Sequence, residues 1–229
     1  MPESTILLAI DTCGPAGSVA LGRACGKAVE ILGQIELEGR SYSSTLVAAV
    51  GELLERGGVS LREVGAIVAV NGPGSFTGVR VGLAAVKGLA EAAQIPVAAV
   101  SRLEVLAAKA GVPSAALDAH RHEVFLRLGL AGEQARELLA GAHELADLSP
   151  APLRIALCDE AAALLMGQAW PATELVRTTA PTAADALLLS AARVAAGEFV
   201  DLALLDGHYL RRSDAEIFGE PVAAVPGRP

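Results

Sequence analysis

Aromatic residues make up only 3% of this chain, although 52% of it is hydrophobic. A core so poor in rings has to be built from Ala, Val and Leu, with backbones brought close together. Cysteines are equally scarce, at positions 13, 25 and 158. The count is odd and no CxxC pair occurs, which argues against a disulfide framework and a thiolate zinc site. Reduced thiols of this kind belong to a cytoplasmic protein. There is no basic stripe, and the net charge is −8. A chain that grips nucleic acid unaided needs positive side chains against the phosphates, so any RNA would be held mainly by a partner. No basic segment leads into a signal-like apolar run, since Ile6 to Ile10 stops at Asp11. The longest apolar helix, around Thr77 to Ala93, carries Arg80, Lys87 and Glu91, which argues against a membrane span. Low-complexity tracts are absent too, so the 229 residues are expected to fold into one large domain or two small lobes.

What is present is a regular alternation of elements. TILLAID (5–11) reads as a buried strand and GSVALG (17–22) as its hairpin partner, with a third strand from Ala28 to Leu37. Leu46, Val50, Leu53 and Leu54 recur at helical spacing between Ser43 and Arg56, before Gly57-Gly58. A strand at Ala66–Val70, a helix at Thr77–Ala93, a strand at Ile95–Val100 and a helix at Leu103–Lys109 follow. Strands are expected at 115–118 and 122–130, giving the order βββ-α-β-α-β-α-ββ. Ala131 to Pro152 reads as a mixed segment with some helical character that crosses to a second lobe. Leu153 to Cys158 reads as a strand and Pro181 to Ala196 as a helix preceded by Thr178 and Thr179 and closed by Gly197. No internal repeat is evident in the sequence.

The sharpest local signal is NGPGSFTGVRVGLAAVKGLA, Asn71 to Ala90. A glycine-rich turn running into a helix can cradle a phosphate through free N–H groups. The P-loop pattern fails here, because Gly78 is followed by Val79-Arg80 and no lysine is in place. The GxGxxG pattern fails as well, since Gly72 and Gly74 are followed by Thr77 where the third glycine belongs. Ser75 or Thr77 would cap the helix. The alternative is a purely structural turn whose glycines let the helix pack closely. The helix is apolar over a wide arc, with Val79, Leu83, Val86, Ala90 and Ala93 on one face and Gly82, Ala85 and Leu89 on its neighbour. Such a helix should be covered on more than one side.

Other chemistry is sparse. His120 and His122 lie two apart on an expected strand and would share a face, but an HxH pair without a third ligand reads as a surface pair. His143 and His208 stand alone. Asp159-Glu160 reads as a solvated turn. No GxSxG elbow occurs, since Pro73 and Phe76 surround Ser75 differently.

The glycine segment, together with ILLAIDTC near the start, closely resembles the TsaB (YeaZ) family. ALDAHRHEVF is similar to that family's Asp-Ala-Arg-Arg-x-Glu-Val-Tyr segment, with His120 and Phe125 differing, and HYLRRSDAE from His208 is similar to its Tyr-Leu-Arg segment. The resemblance implies an α/β fold of the actin-like, ribonuclease H-like type: two lobes of mixed sheets flanked by helices. We expect the lobes at 1–105 and 106–218, followed by a tail at 219–229. It further implies a non-catalytic subunit for threonylcarbamoyl transfer to adenosine 37 of tRNA (t6A). Such a subunit acts as scaffold and activator of the catalytic relative TsaD, together with the ATPase TsaE, and touches tRNA only indirectly. TsaD holds a metal through His-x-x-x-His; the equivalent places here are Arg102 and Leu106, which are not ligands for such an ion. The chain is then no enzyme and needs no cofactor of its own, ATP being used by the complex. A remnant pocket would comprise Asp11, Thr12, Gly74 and Ser75, since actin-like ATPases hold magnesium and phosphate near the first of these. The pairing surface is expected on the helices near 43–56 and 77–93, through Leu46, Val50, Leu54, Val79, Leu83, Val86 and Ala90. The same patch would serve a homodimer in isolation. The alternatives are a peptidase-like enzyme of the glycoprotease type and a free-standing nucleotide-binding protein.

Overall fold

A computed structural model describes residues 4–26, 28–39, 41–129 and 134–211. The expected tail at 219–229 and the end of the strand expected to reach residue 130 lie outside the described residues. Among the described residues, ten strands form two five-stranded sheets. Strands β1 (Thr5–Asp11), β2 (Ala16–Cys25) and β3 (Ala28–Glu38) form an antiparallel meander. Helix α1 (Tyr42–Arg56) leads to β4 (Val64–Val70), helix α2 (Phe76–Ala93) to β5 (Val97–Val100), and then comes helix α3 (Arg102–Ala110). β4 adds to β1 in parallel and β5 adds to β4, giving the order β3-β2-β1-β4-β5.

The second half repeats this plan. β6 (Ala115–Asp118), β7 (Glu123–Leu128) and β8 (Arg136–Gly141) form the meander, and α4 (Ala142–Asp147) follows. Then come β9 (Arg154–Leu157), α5 (Glu160–Ala169), β10 (Glu174–Arg177) and α6 (Ala183–Ala196). The sheet order is β10-β9-β6-β7-β8, with β9 parallel to β6 and β10 parallel to β9. Each half is therefore βββαβαβα, a repeat that the sequence does not display.

The early elements fall where their patterns place them: β2, β3 and β4 run one to three residues further, β1 keeps its expected bounds, and β5 starts at Val97 rather than Ile95. β1 carries the apolar run of a central strand, and Leu7, Leu8, Ala9 and Ile10 are at most 1% exposed. Ser75 Oγ caps α2 by accepting from Gly78 N–H at 3.3 Å. The region Ala131 to Pro152 is not a crossing segment. It supplies the edge strand β8 and the short helix α4 of the second sheet. Asp159 is not in a solvated turn either: its carboxylate accepts from Ala162 N–H at 2.7 Å and caps α5. Neither α5 nor β10 has a counterpart among the expected elements. The last helix is capped by Thr182 in a capping box with Asp185, and it ends at Gly197 with φ 74°.

The two halves exchange their final helices. α3 packs against β6, β7 and β9 of the second sheet, while α6 lies across β1, β2, β3 and β4 of the first. Leu103 and Leu106 belong to the core that holds Leu117 and Phe125, whereas Ala183, Ala186, Leu187 and Val194 belong to the core of β1 and β4. The expected division between residues 105 and 106 thus falls inside α3, and the segment expected in the second lobe contributes α6 to the first.

Candidate functional site

A cleft of about 1240 Å³ opens between the two sheets. Its first wall is the loop after β1, the glycine loop and the start of α2. Its second wall is the β6–β7 turn, the end of β9, and residues 208–211.

The glycine loop is pressed against its own chain. Ser75 N–H donates to Cys13 O at 2.8 Å, and Thr12 Oγ1 donates to Gly78 O at 2.7 Å. A Cβ on Gly74 would lie 2.2 Å from Cys13 O, one on Gly78 2.1 Å from Thr12 O, and one on Gly82 2.2 Å from Thr12 Oγ1. The glycines let α2 close onto residues 12–13, so the small side chains are accounted for by packing. Gly72 is a separate case: its φ is 111°, which only glycine adopts readily, and the His208 N–H donates to the Asn71 carbonyl beside it at 2.7 Å.

Asp11, Thr12, Gly74 and Ser75 are therefore brought together. Asp11 is 1% exposed and Thr12 1%, and Cys13 N–H donates to Asp11 Oδ1 at 2.8 Å. The residue that completes this group is Arg102, at the start of α3. Its Nε lies 3.5 Å from Asp11 Oδ2, and its side chain is 7% exposed. The Nε is buried and has no hydrogen-bond partner among the described residues. Burial lowers the pKa of this guanidinium, but Asp11, with the nearby Cys13 and Cys158, raises it overall. Burial, reinforced by Asp11, pushes the Cys13 thiol well up, and burial raises Cys158 as well. Burial and the Asp11 charge likewise hold the Tyr42 phenol up at about 12, while its hydroxyl donates to Gly14 O at 2.8 Å.

A second polar cluster joins the sheets beside the cleft. Glu137 of β8 accepts from Ser101 Oγ at 2.6 Å and from Arg127 Nη1 at 2.7 Å, and its Oε2 lies 2.9 Å from His208 Nε2. Burial alone raises the Glu137 carboxyl, but these three contacts together hold it below the usual carboxylate range. Arg193 of α6 pairs with Glu104 of α3, and Arg211 pairs with Glu123. Tyr209 packs against Phe76 in a tilted arrangement with ring centroids 5.1 Å apart, and Arg80 lies 3.7 Å over the Phe76 ring. Residues 208–211 thus touch both walls.

His120 and His122 are not on a strand. With Arg121 they form the β6–β7 turn at φ 59°, 57° and 61°, and both side chains are exposed. A strand that reverses in so few residues has no room for a shared face. His120 Nδ1 lies 3.0 Å from Asp118 Oδ2, and no third ligand joins the pair among the described residues.

The seven residues expected at a partner surface are placed elsewhere. Leu46, Val50, Leu54, Val79, Leu83, Val86 and Ala90 are between 1% and 8% exposed, inside the core of the first sheet. α1 and α2 are apolar over a wide arc because each packs both on the sheet and on the other helix. The solvent side of the pair carries Val47, 63% exposed, with Ala48, Gly51, Ala84 and Gly88. A Cβ on Gly51 or Gly88 would meet nothing within 4 Å.

The fold and the packed glycine loop can be compared with known proteins. YeaZ from Pseudomonas aeruginosa superposes with a TM-score of 0.70 at 30% identity, over 90% of this chain and all of that one. This chain belongs to the YeaZ (TsaB) family. TsaB of Haemophilus influenzae, a tRNA threonylcarbamoyladenosine biosynthesis protein, is 37% identical over 54% of this chain and 53% of its own. The match spans about half the length of the TsaB relatives from H. influenzae, Escherichia coli and Bacillus subtilis. A protein of Mycobacterium tuberculosis is 31% identical over 93% of this chain and 95% of its own. The profile of TsaD, tRNA N6-adenosine threonylcarbamoyltransferase, matches residues 31–144.

The TsaD match covers the stretch in which the resemblance placed the equivalents of that family's metal ligands. On the placement used above these are Arg102 and Leu106, 6% and 0% exposed. A guanidinium paired with Asp11 and a core leucine do not fit a metal ion, and no chemical step follows from one here. Among the described residues no helix is long and apolar enough to cross a membrane.

Proposed function

We propose that this chain serves t6A formation on adenosine 37 of tRNA as a non-catalytic partner. It holds TsaD in its active conformation and works alongside the ATPase TsaE. The observation that carries the proposal is the pairing of Arg102 with Asp11: on the placement implied by the resemblance, a fixed side-chain cation would stand where the catalytic relative has a metal ligand. Support comes also from the TsaD profile and from the names of the TsaB relatives.

The partner contact would use the exposed flank of α1 and α2, around Val47, Ala48, Gly51, Ala84 and Gly88. Small residues there allow another helix to approach closely, and Val47 is an apolar side chain left in solvent. A second copy of this chain could occupy the same flank in the absence of TsaD.

The test is mass spectrometry of t6A on tRNA with TsaD, TsaE, ATP and threonylcarbamoyl-adenylate, with and without this protein. A control holds this protein alone. The proposal expects modification only in the full mixture. Modification by this chain alone, or equal modification without it, overturns the proposal. Val47→Asp should abolish co-elution with TsaD while the isolated chain keeps its circular dichroism. Asp at Leu83 or Val86 would instead break the core and say nothing about the partner.

A further inference from the structure

We propose that residues 206–211 are a strap that ties the two sheets together across the cleft, and that its release opens the cleft without unfolding either sheet. It rests on the contacts of this segment and not on the tRNA reading. The backbone at 205–209 belongs to neither a helix nor a strand, and the side chains of His208, Tyr209 and Leu210 alternate between the two sides. On the first side, Asn71 Nδ2 donates to the Asp206 carbonyl at 3.4 Å, His208 N–H donates to the Asn71 carbonyl at 2.7 Å, and the Tyr209 ring meets Phe76. On the second, His208 Nε2 lies 2.9 Å from Glu137 Oε2, and Leu210 packs against the core that holds Leu117 and Phe125. Arg211 there pairs with Glu123 and donates to the His120 carbonyl at 3.4 Å. Two glycines make the seat: a Cβ on Gly207 would strike the Tyr209 ring, and one on Gly72 would lie 3.1 Å from the His208 carbonyl oxygen.

These stays are weaker than the joint they span. The side chains of His208, Arg211 and Glu123 are 37%, 23% and 34% exposed, and ion pairs so open to solvent contribute little. The halves are joined elsewhere by deeper contacts: α3 and α6 pack on each other, Lys109 Nζ lies 2.8 Å from Asp185 Oδ2, and Asp11 pairs with Arg102. A segment held by few buried contacts opens at lower free energy than a packed core. With the strap off, the exchanged helices still join the halves, so the opening is a local motion and both sheets stay folded. Cys158, half-buried just after β9, lines the cleft together with residues 208–211 and reports that motion.

The test is labelling of the full chain with N-ethylmaleimide, followed at each cysteine by peptide mass spectrometry. Exposed Cys25 is the internal standard. Cys13, 1% exposed with its thiol donating to Val70 O at 3.3 Å, reports unfolding of the first sheet. Tyr209→Ala and Arg211→Ala should each raise the Cys158 rate relative to Cys25 by at least about tenfold and leave Cys13 unmoved. Arg23→Ala, which removes an exposed pair with Glu30 outside the cleft, should leave Cys158 unmoved. Cys158 unmoved in both strap variants overturns the proposal, as does a rise of Cys158 and Cys13 together. Hydrogen exchange on the natural chain decides the matter even if the variants do not fold. Measured against the urea-unfolded chain, the His208 amide and the Cys158 thiol should be protected equally to within about threefold, and at least about tenfold less than the amides of β1 and β6. Cys158 as protected as those core amides, or reacting as fast as Cys25, overturns the strap.

Discussion

Arg102 Nε lies 3.5 Å from Asp11 Oδ2 at the base of the cleft, with side chains 7% and 2% exposed. One partner comes from the end of the first strand and the other from the start of the helix given over to the second sheet. The ion pair therefore ties β1 to α3. Removing one buried partner costs far more than removing both, because a lone buried charge remains. Asp11→Asn should destabilise the chain by about 3–5 kcal/mol in urea unfolding. The double variant Asp11→Asn/Arg102→Met should be more stable than Asp11→Asn alone. A double variant as unstable as the sum of the two single ones would show that the pair is not the source of the loss.

Glycines of α2 and of the loop before it divide into two kinds, and alanine should separate them. Gly74→Ala and Gly78→Ala place a methyl about where Cys13 O and Thr12 O already sit, 2.2 and 2.1 Å away. Each should cost roughly 1–3 kcal/mol through overpacking. Gly88→Ala, with nothing within 4 Å, should instead raise stability by about 1 kcal/mol through helix propensity. If Gly88 lies under a partner helix, the same substitution weakens TsaD co-elution while Tm rises.

Glu137 makes the acid limb of the stability curve predictable. Its carboxyl is held lower in the folded chain than in the unfolded one. Its contribution is thus present above the unfolded value and lost as pH falls through the folded one. Glu137→Gln should cost about 2 kcal/mol at pH 7 and progressively less below about pH 4.5, as urea midpoints across pH would record. A loss that stayed constant down to pH 3 would contradict the argument.

Tyr42 sets the alkaline limb. The folded chain holds its phenol protonated up to about 12, against an unfolded value of 10, so stability falls as pH rises between the two. The chain has two tyrosines. Absorbance of the phenolate should show a late step near pH 12 that Tyr42→Phe removes. Tyr42→Phe also loses the bond to Gly14 O and should cost about 1 kcal/mol.

The first half of the fold was legible because each element carries its own signal. TILLAID is a continuous apolar run, α1 repeats Leu46, Val50, Leu53 and Leu54, and α2 follows an unmistakable turn. The second half was less so for physical reasons. β10 has only four residues, and α5, EAAALLMGQA, is mostly small or apolar all round, so neither period shows. Its cap, Asp159, was the available clue, but beside Glu160 it read as a polar turn. The partner residues were misplaced because apolarity marks burial without saying by what, and Val47 lies outside the helical stripe used to choose them. Arg102 was visible only as a failed metal ligand. That it pairs with Asp11 depends on bringing together two residues ninety-one positions apart, which no local pattern reports.

The exchange of α3 and α6 has a bearing on how the chain is made. The first sheet emerges from the ribosome early, yet the helix that covers one of its faces is α6, ending at Ala196. Until that helix arrives, the inner side of β1, β2 and β4 has no lid, and a nascent chain stalled near residue 180 would present a bare apolar sheet to chaperones. Cutting the gene between residues 105 and 106 would yield two fragments that each lack a wall. Refolded together, the fragments would have to complete each other.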